Sequence, residues 1–220
     1  MVQKSPSGLA RSRLFVVRGE ANPQPPEISD ADLIDAFERG EGHACEAIYD
    51  RLIAVVESTL FRVLGRRDSA HDDLVQSAFE QIVATLTRSR FARACTLSSW
   101  AASVTTYVAF NAMRARSRER RLVDHARDAD AEARACGDPR DLESDAHARE
   151  MLRRVREELA RMSIDQATTL FLHDVLGHEL PEIAALTNVS VTAAQSRLVR
   201  GRKELQKRLL KGTRRKAGKP

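Results

Sequence analysis

The stretch His178–Leu210, HELPEIAALTNVSVTAAQSRLVRGRKELQKRLL, decides how this chain is read. Pro181 suits the first turn of a helix, where its missing N–H costs nothing, and Ile183, Ala184 and Leu186 give that short helix an apolar face. Asn188 tolerates the left-handed backbone that ends a helix, and Ser190 has the side-chain oxygen that caps the next one. The pairing predicts a turn of about three residues, as in a helix-turn-helix. In the second helix Val191, Ala194, Leu198, Leu205 and Leu209 recur at three- and four-residue steps and define a buried stripe. Thr192, Ala193, Gln195, Ser196, Arg197 and Arg200 then point outward from its first two turns, the part of a recognition helix that enters the DNA major groove. Arg and Gln can pair bidentately with base edges, while Ser and Thr hold phosphates or bases. A basic amphipathic helix alone is as often a solvated or partner-binding surface; the preceding helix and turn favour DNA.

Composition agrees with a helical chain. Of 220 residues 42% are hydrophobic, mostly Ala, Leu and Val, with only 10 Gly and 7 Pro, which predicts an all-α fold. The net charge of +5 is unevenly placed. Arg114, Arg116, Arg118, Arg120 and Arg121 form one basic block, residues 197–219 form a second, and an acidic segment lies between. Two basic poles suggest two nucleic-acid contacts. Cys45, Cys95 and Cys136 show no paired or metal-ligand spacing, which argues for a reducing compartment. The run Leu14–Val17 is too short for a signal-peptide core or a membrane span, so we expect a cytoplasmic protein without direct membrane insertion.

In chain order, residues 1–27, with Asn22-Pro23-Gln24-Pro25-Pro26, read as a disordered tail. Residues 28–121 read as a first small helical domain. Ser29 opens its first helix; Ile48, Leu52, Val56, Leu60 and Val63 mark a second. Asp68 or Ser69 is expected to cap a third, with Leu74, Val75, Phe79, Ile82, Val83 and Leu86 buried and Asp72, Asp73, Gln76, Glu80 and Gln81 exposed. A loop with Arg88, Arg90, Phe91 and Arg93 leads to a fourth helix that buries Trp100, Val104, Val108 and Met113 or their neighbours. Thr105, Thr106, Tyr107 and Asn111 are placed on its remaining surface. Residues 122–149 lose large apolar side chains and accumulate Asp124, Asp128, Asp130, Glu132, Asp138, Asp141, Glu143 and Asp145, the composition of a flexible acidic linker. Residues 150–211 form a second small domain containing the helix-turn-helix, and 212–220 a basic disordered tail.

Three anchors in this order, DDLVQSAFEQIV at Asp72–Val83, the Trp100 helix running into RARSRERR, and GHELPEIAALTNVSVTAAQSRLVRGRKEL at Gly177–Leu205, resemble the extracytoplasmic-function class of bacterial RNA polymerase sigma factors. The resemblance spans roughly Asp30 to Leu209 and implies that core RNA polymerase and promoter DNA are the partners. It implies docking on the clamp-helix coiled coil of the polymerase through Asp72, Asp73, Leu74, Gln76, Glu80 and Gln81. It implies melting and reading of the start-proximal element by Arg88, Arg90, Arg93, Trp100, Tyr107, Asn111, Arg114, Arg116 and Arg118. Melting needs no covalent step, because a protein opens a duplex by binding the unpaired strand better than the pair. The upstream element falls to the recognition helix, with Arg197 and Arg200 as leading contacts, and an anti-sigma factor is the expected inhibitor. The chain departs from the family's usual pattern at Val83, Thr106, Tyr107, Asn188 and Gln195, which bears on which promoter is read.

Two other classes compete. His173-Asp174, His178-Glu179 and His71-Asp72-Asp73 look like metal or acid–base pairs, but neighbours on a helix point about 100 degrees apart, and His173 and His178 are off the four-residue step of a metalloprotease helix. We therefore expect no metal, no cofactor and no catalysis. A dimeric helix-turn-helix repressor, or a decoy that binds polymerase without initiating, would use the same C-terminal motif. The polar face of the third helix and the arginine-capped fourth helix favour a sigma factor over a simple repressor, and no long heptad run offers a dimer seam.

Overall fold

The computed structural model describes residues 28–67, 69–89, 91–124 and 142–217. The expected N-terminal tail and residues 125–141 of the expected linker lie outside these. All regular structure among the described residues is helical: α1 Asp30–Glu38, α2 Gly42–Leu64, α3 His71–Thr87, α4 Leu97–Asp124, α5 Leu142–Arg161, α6 Ile164–Asp174, α7 Leu180–Leu186 and α8 Val191–Ala217.

Local signals set most boundaries. Ser29 caps α1, its hydroxyl accepting from the Asp32 N–H at 3.1 Å. α2 stops at Gly65, whose φ of 75° is the left-handed C-terminal conformation and whose N–H donates to the Phe61 carbonyl at 2.8 Å. Asp68, one of the two caps expected for α3, lies outside the described residues, and Asp72 and Asp73 in the first turn meet the positive end of the helix. α3 buries Leu74, Ala78, Ile82 and Leu86 at strict four-residue steps. That narrower stripe leaves Val75 and Phe79 half-buried and puts Val83, expected inside, on the surface.

α4 corrects the expectation most. It is buried on two sides, packing on α2 and α3 and also on α5, α6 and α7. Thr105 and Thr106, read as surface residues, are therefore fully buried, and each satisfies its hydroxyl on the carbonyl four residues back, Ala101 or Ala102, at 2.7 Å. Phe110 is fully buried, whereas Val104, Val108 and Met113 are half-buried. One continuous apolar core joins Leu52, Leu60, Ile82 and Phe110 to Leu159, Met162, Leu170, Phe171 and Leu198. The N-terminal and C-terminal helices thus share a core rather than standing apart.

Helix also extends into both ends of the expected linker and into the expected tail: α4 continues to Asp124, α5 starts at Leu142, and α8 runs to Ala217. Dense Arg, Glu and Ala are good helix formers, and α5 adds pairs at helical spacing, Arg153 bonding both Glu150 and Glu157.

Candidate nucleic-acid and polymerase interfaces

The helix-turn-helix forms as its residues dictate. Pro181 lies in the first turn of α7, and the Glu182 carboxylate accepts from the Glu179 N–H at 3.1 Å. Asn188 takes φ 52°, the Val189 N–H returns to the Ala184 carbonyl at 2.9 Å, and the Ser190 hydroxyl accepts from the Ala193 N–H at 3.1 Å. Leu172, Ile183, Ala184 and Ala194 pack together beneath the turn and fix the angle between α7 and α8. Gly201 lets α8 approach α6, since a Cβ there would lie 3.2 Å from the Leu170 side chain.

The face that α8 offers is narrower than expected. Thr192, Gln195, Ser196 and Arg200 are exposed, whereas Ala193 and Arg197 are half-buried. Arg197 is turned back toward α6, where its guanidinium pairs with Asp165 at 3.0 Å. Further along, Arg202 bonds Asp174, whose carboxyl also accepts from His173. The Arg202 guanidinium, and then His173, hold the Asp174 carboxyl below its usual range. His173 is thereby part of a strut between α6 and α8, and His178 lies 3.4 Å from Glu182. Among the described residues no three His, Cys, Asp or Glu side chains gather at metal-binding distance.

On α3, Asp72, Asp73, Gln76, Glu80 and Gln81 form an exposed row, with Gln76 donating to Glu80 at 2.9 Å. Leu74 does not join it; its side chain belongs to the core. Of the start-proximal candidates, Arg88, Tyr107, Asn111 and Arg118 are exposed and Arg114 and Arg116 half-buried, while Arg90 lies outside the described residues. Arg93 adopts φ 53° and pairs with Asp35 at 2.6 Å and Glu38 at 3.0 Å, so it ties the loop to α1. Trp100 is buried, its ring 4.8 Å from that of Phe91. A residue that sequence reading missed secures this corner. Asp30 accepts from the Leu97 N–H at 2.7 Å, capping α4 from 67 positions away, and pairs with Arg51 at 2.9 Å. No local signal points to it.

The C-terminal helices meet this surface. α7 packs on α4, and burial, and then the charge of Glu182 on α7, push the Cys95 thiol up. Arg114, Ser117 and Arg118 of α4 face Ala160 and Arg161 of α5 and Arg208 of α8 across a cleft of about 360 Å³.

Two family models match the chain in the order of these surfaces. Residues 48–119 match sigma-70 region 2, which takes in the α3 row and most of α4, and residues 152–205 match sigma-70 region 4, which takes in the helix-turn-helix. The chain belongs to the sigma-70 family. Region 4 follows region 2 in this sigma factor, and sigma factors are not an enzyme class. No curated protein matches it. Similar solved structures include CnrH in complex with the cytosolic domain of CnrY, at 21% identity and TM-score 0.48 over 83% of this chain and 97% of that one. They also include the sigma factor RpoE with the anti-sigma factor NepR from Bartonella quintana, at 21% identity and TM-score 0.42 over 73% and 94%. Among the described residues no helix is long and apolar enough to cross a membrane.

Proposed function

We propose that this alternative sigma factor docks on core RNA polymerase through Asp72, Asp73, Gln76, Glu80 and Gln81 and directs it to promoters whose upstream element is read by α8. The observation that carries the reading is the exposed face Thr192, Gln195, Ser196 and Arg200 on a helix held by a completed turn, inside the region 4 match. Those side chains supply base-edge and phosphate contacts of the kind a major groove accepts. Arg88, Tyr107, Asn111 and Arg116 offer a stacking ring, an amide and cations to the unpaired strand near the start site. Arg114 and Arg118 reach that strand only once the two regions part, because in this arrangement they face α5 and α8. Initiation then proceeds by binding energy alone, with no covalent step, in the cytoplasm. An anti-sigma factor that covers both regions keeps the protein inactive until induction. The exposed Val83 on α3, and Tyr49, whose ring packs on Phe79 of α3, give such a partner apolar surface beside the α3 row.

Run-off transcription with bacterial core polymerase on a pool of genomic promoter fragments tests this. Specific transcripts that require the protein, and that vanish on R200A, are expected. Tight DNA binding without transcripts would overturn it in favour of a repressor or decoy.

A further inference from the structure

The cleft between the regions has a chemistry of its own. Arg114 and Arg118 are one turn apart on α4, Arg161 ends α5, and Arg208 lies on α8, so three helices aim four guanidiniums at one concavity. Some of that charge is answered. Arg161 pairs with Glu158 at 2.8 Å, and Arg208 with Glu204 at 2.7 Å and, more loosely, with Glu158 at 3.7 Å. Neither Arg114 nor Arg118 has a carboxylate partner among the described residues. Four cations against two carboxylates leave about two positive charges unanswered in a recess that Ser117 and Ala160 also line.

We propose that this cleft binds a small oligophosphate anion, a di- or triphosphate group such as a nucleotide carries, and that the bound anion holds regions 2 and 4 together. Planar guanidinium forks match phosphate oxygens in pairs, and a cleft of this size admits a small molecule rather than a duplex. The site exists only while α4, α5 and α8 are adjacent. Its ligand therefore stabilises the packed arrangement by mass action, having nothing equivalent to bind when the regions separate. It also occupies Arg114 and Arg118. On the reading given under Proposed function, on which this last step rests, an oligophosphate thus opposes promoter opening as well as separation.

The test uses the full chain and sodium tripolyphosphate, followed by titration calorimetry and thermal unfolding, with sodium sulfate added to hold ionic strength constant. Saturable one-to-one binding and a rise in Tm are expected. R161A/R208A, which leaves every proposed promoter contact in place, should fold with the same circular dichroism and bind at least about tenfold more weakly. R161K/R208K, which keeps the charge without the forks, should fall between the two. Absence of saturable binding, or equal binding by all three proteins, overturns the site. So does preferential binding of a ten-nucleotide single strand that tripolyphosphate does not displace, which would make the cleft a strand track. These measurements contain neither polymerase nor promoter, so a failure of the sigma-factor reading would show in transcription and leave the binding result standing.

Discussion

Phe110 on α4 meets Phe171 on α6 edge to face, ring centroids 5.9 Å apart and planes at 88°, with both side chains buried. One ring lies within the region 2 match and the other within region 4, so this contact is the joint between them. Emptying the joint should both destabilise and open the molecule. F171A is expected to lose about 3–5 kcal/mol in urea unfolding, the usual cost of deleting a buried phenyl ring. Its radius of gyration by small-angle scattering should rise. An unchanged radius would mean that the remaining contacts of α4 with α5, α6 and α7 are enough to keep the regions together.

The end of α2 supports the same joint. Gly65 needs its left-handed backbone, and a Cβ there would run into the Arg156 guanidinium on α5. Burial lowers the pKa of that guanidinium, and its charge suits the negative C-terminal end of a helix. G65A should cost about 1–2 kcal/mol from backbone strain, plus whatever is lost when Arg156 is displaced. Comparison of G65A in the native and R156A backgrounds by denaturant titration separates the two. A penalty unchanged by R156A assigns it wholly to the backbone.

Asp174 gives the helix-turn-helix a pH dependence. Its carboxyl is held below the usual range by Arg202 and then His173. The stabilisation is therefore complete above the carboxyl's unfolded-state pKa and is lost as pH falls through the lower folded value. The pair is solvent-accessible, so its worth is under about 1 kcal/mol and is screened by salt. D174N should lower stability by that small amount near neutrality, where the stabilisation is complete, and should lose correspondingly less on acidification below the ordinary carboxylate range. Thermal unfolding across that pH range measures it.

Arg200 and Arg197 should differ although both lie in the first turns of α8. Arg200 is exposed and is expected to contact a phosphate or base directly, so R200A should reduce the slope of log affinity against log salt by about 0.9 if the contact is to phosphate. Arg197 is engaged by Asp165, and R197A should change the slope less. D165N frees that guanidinium and should strengthen non-specific DNA binding. Fluorescence anisotropy on one promoter duplex at several salt concentrations tests all three; equal slopes for R197A and R200A would show that the Asp165 pair yields to DNA.

The helix-turn-helix was legible because its determinants are local. Pro181, Asn188 and Ser190 each act on backbone within four positions, and the apolar steps of α7 and α8 repeat inside one helix. The α3 row was legible for the same reason, apart from Val83, which the narrower stripe leaves outside; Leu74, read as buried, fills the core. Helix at the two ends of the linker was not legible, because charged residues at three- and four-residue steps sustain helix without the large apolar side chains that mark a core.

What the amino-acid sequence determined by itself was therefore an all-helical chain, two basic poles and the register of the recognition helix, all products of short-range hydrogen bonding and periodicity. The tertiary structure alone decided which sides of α4 face solvent. Burial on a second side is imposed by α5, α6 and α7, which begin 18 or more positions beyond the end of α4 and leave no periodic trace in α4 itself. For that reason Thr105 and Thr106 lie inside, Arg197 is held by Asp165, and Arg114 and Arg118 line a shared cleft: each depends on a neighbour that only packing supplies.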